Sequence, residues 1–190
     1  EGLVSYWRFD EDEGETAFDA TSGNNDGQLN GTPERIESTA PFTMPPFITL
    51  TASASWPVYL KIGMFPDATD GYDDGIDSYA PPAPPPPAFD AALGWGGDRY
   101  YTQILAGNAE DIGVEHVFDI QLQYGTDNLI TLSWDNTGWS DLMSSCILED
   151  SFGGGMFSVD MLTNNSLTLD NPAFNLLKLR VTPSAPEPPP

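Results

Sequence analysis

The apolar residues of this chain fall into short alternating runs that are bounded by Gly, Pro, Asn and Asp. Clear examples are FITLTASASW at 47–56, VYLKIGMF at 58–65, HVFDIQLQY at 116–124 and LLKLRVT at 176–182. Alternation with a period of two is typical of strands that bury one face, and frequent turn residues favour short connections between them. The pattern therefore predicts an all-β fold with the close, regular strand spacing of a β-sandwich.

The charge balance limits the partners that such a protein can bind. The chain has 29 Asp and Glu residues against 6 Lys and Arg residues, and its formal net charge at pH 7 is -23. This charge repels phosphate backbones and anionic lipid surfaces, so nucleic acid and membranes are not expected as partners. The aromatic content of 12% separates the chain from disordered acidic tails. Cations are the expected counterpart of the acidic residues.

Composition divides the chain into four segments. Residues 1–40 contain three predicted short strands, LVSYWRF, TAFDA and GQLNG, and residues 41–46 form a Pro-rich linker. Residues 47–182 hold the other predicted strands, and the proline run at 80–91 must be extended. Residues 183–190 form a Pro-rich tail. The start without Met, the absence of a signal-peptide pattern and the low Lys content indicate a mature extracellular chain, with no apolar run long enough to span a membrane.

The stretch GLVSYWRFDEDEGETAFDATSGNNDGQLNG at 2–31 resembles the opening of a LamG-like, concanavalin-type jelly roll. Its aromatic residues supply strand packing, and SGNNDG supplies the turn that reverses the chain. An eight-stranded jelly roll needs at least about 80 residues, and only about 40 precede the linker. Because a three-strand fragment is not stable alone, it is expected to pack either on the rest of its own chain or on a neighbouring molecule.

Residues 47–182 are similar to a fibronectin-like β-sandwich module of bacterial and archaeal secreted surface proteins. The similarity rests on FPDATDGYDDGIDSYAPPAPPPPAFDAAL, DRYYTQILA, ITLSWD, SVDMLTNNSLTLDN and LLKLRVTP. Met64 and Phe65 stand near the usual Phe-Gly pair, and Leu162 stands where the family usually has Arg. The resemblance implies an immunoglobulin/fibronectin-like β-sandwich, with residues 1–40 as an N-terminal strand extension. It also implies a non-catalytic building block.

The aspartates of DATDGYDDGID (67–77) are the first candidate site. Hard oxygen ligands at close spacing, with glycines that let the backbone turn around an ion, are typical of calcium sites. The preferred calcium ligands are Asp67, Asp70, Asp73 and Asp77. The loop does not match the EF-hand pattern. The alternative interpretation is that these aspartates cap turns through their own hydrogen bonds.

A weaker metal candidate lies in the N-terminal segment, and its oxygen ligands would converge if the hairpin there closes. Its members are Asp10, Asp12, Asp19, Asn24 and Asp26. In the LamG-like pattern, these positions serve mainly as turn residues.

Three tryptophans are candidate aromatic contacts to a ligand or another subunit: Trp7, Trp95 and Trp139. Trp95 and Trp139 lie in Gly-containing loops, whereas the alternation around Trp134 predicts a core residue. The single cysteine, Cys146, is predicted to be a small buried residue.

Two asparagines, Asn30 and Asn164, satisfy the glycosylation sequon. The one histidine excludes a zinc cluster and an ordinary Ser-His-Asp site.

These observations favour a non-enzymatic structural protein of the cell surface. It would be a subunit of a fibre in which residues 1–40 complete a neighbouring copy by β-strand addition, with calcium offsetting self-repulsion. The alternative function is a carbohydrate-binding accessory module of a larger secreted protein, in which exposed tryptophans contact a glycan. A secreted hydrolase is the third and weakest interpretation, because no segment isolates one acid in an apolar pocket.

Overall fold

The computed structural model describes Ser5 and residues 15–19, 23–31, 48–65 and 68–184. The chain divides into two compact units, which consist mainly of residues 1–39 and residues 40–187. In the first unit, β1 (Thr16–Ala17) pairs with β2 (Gly27–Gln28) in antiparallel orientation. These two strands fall within the predicted runs TAFDA and GQLNG. The predicted strand LVSYWRF lies, apart from Ser5, outside the described residues.

The second unit contains an 11-stranded sheet. The strands are β3 (Ile48–Ser53), β4 (Pro57–Phe65), β5 (Ser78–Tyr79), β6 (Asp90–Trp95), β7 (Asp98–Ala106), β8 (His116–Gln123), β9 (Ile130–Ser133), β10 (Met143–Asp150), β11 (Ser158–Asp160), β12 (Ser166–Leu169) and β13 (Leu176–Pro183). The helical elements in this part of the chain are the 3-10 turns Ala109–Asp111 and Trp139–Asp141. Neither turn is long and apolar enough to cross a membrane.

The sheet is continuous, with its strands in the order β11-β10-β13-β8-β6-β7-β4-β3-β9-β12. Strand β7 lies between two parts of this order, which are β11-β10-β13-β8-β6 and β4-β3-β9-β12. Tyr100 pairs with both Leu93 of β6 and Tyr79 of β5, and Thr102 pairs with both Lys61 of β4 and Ser78 of β5. Since a strand has two edges, β6 and β4 share one edge of β7, and β5 lies on the other.

Alternation along the strands places one core between the halves of the sheet. In β3, the buried residues are Ile48, Leu50 and Ala52, whereas the threonines between them are half-buried. Strand β13 repeats the pattern with Leu177, Leu179 and Val181. Each fully buried aliphatic side chain contributes about 1.5–3 kcal/mol. The structure thus confirms the prediction of an all-β, sandwich-like fold.

A proline segment at 80–88 covers the outer side of the sheet next to β6 and β8. Gln123 Nε2 donates to Pro84 O at 2.9 Å and to Ala88 O at 2.7 Å. Arg99 Nη1 donates to Pro81 O at 2.6 Å, and the same guanidinium forms an ion pair with Asp90. Because proline has no N–H, the segment is held mainly by these side chains, together with the bond from Ala80 N to Arg99 O at 2.8 Å.

Candidate functional site

The acidic loop, defined here as residues 68–77, folds around its own aspartates. The Asp73 carboxylate accepts from Thr69 N at 2.6 Å and from Thr69 Oγ1 at 3.1 Å. Asp73 N in turn donates to Asp77 Oδ2 at 2.9 Å. Gly75 has a φ of 83°, a conformation that favours glycine. Within the loop, Asp73 and Asp77 therefore act as turn caps.

Two aspartates of the acidic loop also reach the edge of β7. Ile104 N donates to Asp77 Oδ1 at 2.7 Å, and Ala106 N donates to Asp70 Oδ1 at 3.3 Å. These N–H groups lie on the edge that β5 leaves free after Ser78 pairs with Thr102. The carboxylates occupy the place of a neighbouring strand's carbonyls, which covers an edge that could otherwise pair with another chain.

These contacts bear on the calcium prediction. Both carboxylate oxygens of Asp77 already accept backbone N–H groups, and Asp77 is 7% exposed. The described part of the chain contains no group of three or more His, Cys, Asp or Glu side chains arranged to hold a metal ion. Asp67 lies outside the described residues. Calcium binding at this loop stays a prediction.

The weaker metal candidate is a closed turn in the part that the structure describes. Asp19 N donates to Asp26 Oδ1 at 2.9 Å, and Asn25 N donates to Asp19 Oδ2 at 2.9 Å. Asn24 has a φ of 48°, which the side chain of an asparagine tolerates in tight turns. These contacts bring Asp19 and Asp26 together as turn residues. The other two members, Asp10 and Asp12, lie outside the described residues.

One of the tryptophans differs from the prediction. Trp139 is 6% exposed and packs in the core, so the expectation of an exposed contact there is wrong. Trp139 is the first residue of the 3-10 turn Trp139–Asp141, which follows Gly138 with its φ of 77°. Trp95 is partly buried and its ring lies 5.6 Å from that of Tyr100. Trp7 lies outside the described residues. Trp134 is buried, as the alternation predicted.

Two exposed aromatic residues of the second unit, Trp56 and Tyr59, border a groove along the start of β4. Trp56 is 51% exposed and Tyr59 is 56% exposed. The groove has a volume of about 450 Å³, and its lining also includes Lys61, Tyr101 and Thr102. The sequence analysis missed this groove, although Tyr59 and Lys61 alternate with the buried residues of β4 and could have been assigned to the outer face.

A second, smaller cavity of about 250 Å³ lies beside Trp95. Its lining includes the carboxylates of Asp98 and Asp119 and the amides of Gln103 and Gln121. Asp119 also accepts from Lys178 Nζ at 2.8 Å. The cavity therefore combines a tryptophan ring with several hydrogen-bonding side chains.

The single cysteine and the single histidine of the chain lie in different surroundings. Cys146 is buried, and burial raises the pKa of its thiol to about 12, which keeps it protonated. His116 Nε2 lies 3.7 Å from Asp111 Oδ1 and has no hydrogen-bond partner among the described residues.

Both sequon asparagines are exposed, and Asn164 Nδ2 donates to Asp160 O at 2.8 Å.

Comparison with protein-family models, curated proteins and solved structures finds no match for this chain.

Proposed function

We propose that the chain is a non-enzymatic structural subunit of an extracellular or cell-surface fibre. In this assembly, residues 1–40 of one copy add a strand to the second unit of the next copy. The immunoglobulin/fibronectin type of sandwich is part of this proposal. The observation that supports it is the edge of β4 beside the groove, since an open edge is what strand addition uses.

The last residue of β4 shows which backbone N–H and C=O groups of this strand face β7. Phe65 O accepts from Gly107 N at 3.0 Å, so the backbone groups of Phe65 face β7. Because successive residues of a strand face opposite edges, Tyr59 N–H and C=O face the same side as those of Phe65. The pairing of β4 with β7 begins only at Lys61. Among the described residues, no strand pairs with residues 57–60 on that side.

The groove would supply specificity to such a strand. Trp56, Tyr59 and Tyr101 border the open edge, and an incoming strand would place alternate side chains against these rings. Residues 3–9, LVSYWRF, carry apolar and aromatic side chains suited to this contact. When each copy adds its strand to the next copy, the subunits form a closed ring only if the rotation between copies permits it. Otherwise they extend into a filament.

Calcium is the cofactor in this proposal. Subunits that each carry a formal charge of -23 repel one another, and a divalent cation would reduce this cost. Its first candidate site is the acidic loop together with the preceding Asp67, and Asp67 and Asp70 are the ligands to vary.

Electron microscopy and light-scattering mass, each with calcium and with a chelator, test this proposal. We expect ordered fibres in calcium, their loss in chelator, and their loss when residues 1–40 are deleted. Tyr59→Pro removes an N–H from the open edge without touching the ladder with β3, and it should also block assembly. Tyr59→Ser is the matched control, because it removes the ring and keeps the N–H. The difference between the two variants is therefore the effect of losing the N–H. A monomer in both conditions would overturn the proposal.

A carbohydrate-binding module is the second candidate function, and the cavity beside Trp95 favours it. An aromatic ring next to carboxylate and amide groups suits a sugar, whose ring faces are apolar and whose hydroxyls need partners. Glycan-array binding followed by titration tests it. Trp95→Ala should abolish binding, whereas Trp56→Ala and deletion of residues 1–40 should leave it unchanged. Loss of binding in the deletion variant alone would count against the cavity.

A further inference from the structure

Three tyrosine rings are stacked where the acidic loop meets β5 and β7. The ring centroids of Tyr72 and Tyr79 are 4.5 Å apart, with 21° between the ring planes. Those of Tyr79 and Tyr100 are 4.7 Å apart, with 26° between the planes. Tyr72 is 42% exposed and Tyr79 is 50% exposed, whereas Tyr100 is buried. The outer two rings are thus held together at the surface, within reach of a dissolved oxidant.

The surroundings of these phenols determine how they can be oxidised. Desolvation and the nearby Asp74 carboxylate raise the pKa of Tyr72. Desolvation and a hydrogen bond with Tyr79 raise the pKa of Tyr100 to about 12. Tyr72 and Tyr100 therefore stay protonated at neutral pH, and removal of an electron from the Tyr72 phenol must be accompanied by loss of its proton. The Asp74 carboxylate beside the Tyr72 hydroxyl is a local acceptor for that proton.

We propose that Tyr72 and Tyr79 form a site of oxidative cross-linking, at which a peroxidase-type oxidant converts the pair to dityrosine. Each phenol loses one electron and one proton to give a phenoxyl radical. The two radicals form a carbon–carbon bond between ring positions ortho to the oxygens, and the displaced ring hydrogens move to those oxygens. The two electrons and two protons, with two further protons of the peroxide itself, reduce one hydrogen peroxide to two waters.

The cross-link would have a defined structural result. Tyr72 belongs to the acidic loop, and Tyr79 belongs to β5, which pairs with β7. A bond between them closes a short covalent ring across the loop that covers the edge of β7. The loop would then be unable to leave that edge without breaking a covalent bond. This inference does not depend on fibre formation or on glycan binding.

Treatment of the full chain with a haem peroxidase and hydrogen peroxide tests the proposal. We expect a monomer that has lost two hydrogens in mass, that shows dityrosine fluorescence, and that yields a linked peptide containing Tyr72 and Tyr79 after proteolysis. Tyr72→Phe and Tyr79→Phe should each abolish the monomeric product. Circular dichroism of both variants verifies that they fold.

Tyr59→Phe is the matched control, because Tyr59 is 56% exposed and lies outside the stack. If exposure alone controlled the reaction, Tyr59→Phe would lose the most dityrosine. Under the proposal, Tyr59→Phe still yields the cross-linked monomer. The proposal is overturned if the product consists of dimers linked through Tyr59, if tryptophan oxidation is the only change, or if Tyr72→Phe keeps the monomeric cross-link.

Discussion

The turn after β10 and the acidic loop before β5 both hold their backbones with carboxylates, but over different distances along the chain. Asp150, which is completely buried, accepts from Phe152 N and Met156 N at 2.8 Å and from Phe157 N at 2.9 Å. All three donors lie within seven residues. Asp77 instead accepts from Ile104, 27 residues away. The first carboxylate organises a local turn, and the second joins two elements of the fold.

This difference teaches where a like-charged cluster obtains its stability. Repulsion among the aspartates of the acidic loop is opposed by the backbone N–H groups that donate to their carboxylates. An aspartate-rich loop therefore does not by itself require a metal. A local carboxylate can form its turn early, whereas Asp77 can accept from Ile104 N only after β7 is in place.

Replacement of the local acid should have the largest effect on stability. Asp150→Ala leaves three N–H donors without a partner at a buried position, and we expect it to lower the melting temperature more than any other single aspartate substitution in the second unit. Thermal unfolding followed by circular dichroism measures this effect. A larger decrease in melting temperature for Asp77→Ala than for Asp150→Ala would contradict this ranking.

The same residue should impose a pH dependence. Hydrogen bonds, first that from Phe157 N, lower the pKa of Asp150 below its value in the unfolded chain, which is about 3.9. A depressed folded pKa contributes stability that is present above the unfolded pKa and is lost as the pH falls through the folded pKa. The stability difference between wild type and Asp150→Asn should therefore shrink below about pH 4. Urea denaturation at several pH values measures it, and a constant difference would contradict this assignment.

Replacement of the long-range acid should have the next largest effect. Asp77→Ala leaves Ile104 N and Asp73 N without their acceptor, which we expect to cost about 2–4 kcal/mol. Hydrogen exchange should accelerate most at Ile104 and in the acidic loop. Uniform acceleration across the unit would indicate that Asp77 only contributes global stability and does not join the loop to β7.

The smallest effect is expected at Asp73, whose bonds to Thr69 are exposed. Asp73→Ala should cost about 0.5–1.5 kcal/mol in urea denaturation. Asp127→Ala is the matched control, because Asp127 is an exposed turn residue that forms no hydrogen bond with the described residues. Equal losses in the two variants would show that the capping bonds of Asp73 contribute nothing.

The sequence predicted the strands better than it predicted the contacts of loop side chains. Alternation located β3, β4, β8 and β13 because one face of each is buried. It missed β6, which reads DAALGW and is buried on both faces where the proline segment covers it. It also misjudged Trp139, which packs in the core, because composition does not reveal which loop side chains point inward. Capping within the acidic loop was foreseen as an alternative, but its bond to Ile104 was not, since no local pattern encodes a partner in another strand.

The position of β7 has a consequence for how the chain folds. Its pairing with β4 joins residues that are far apart in sequence, such as Lys61 and Thr102, and the sheet also contains pairs such as Thr51 with Ser133. Formation of such non-local pairs must first overcome loop-closure entropy, so folding is expected to be slow and to pass through states with open edges. In those states, the segments beside β7 contain prolines, which lack an N–H, and aspartates, which repel one another. Both features disfavour pairing with the strands of another chain. These residues therefore protect the chain from aggregation during folding as well as shaping the native state.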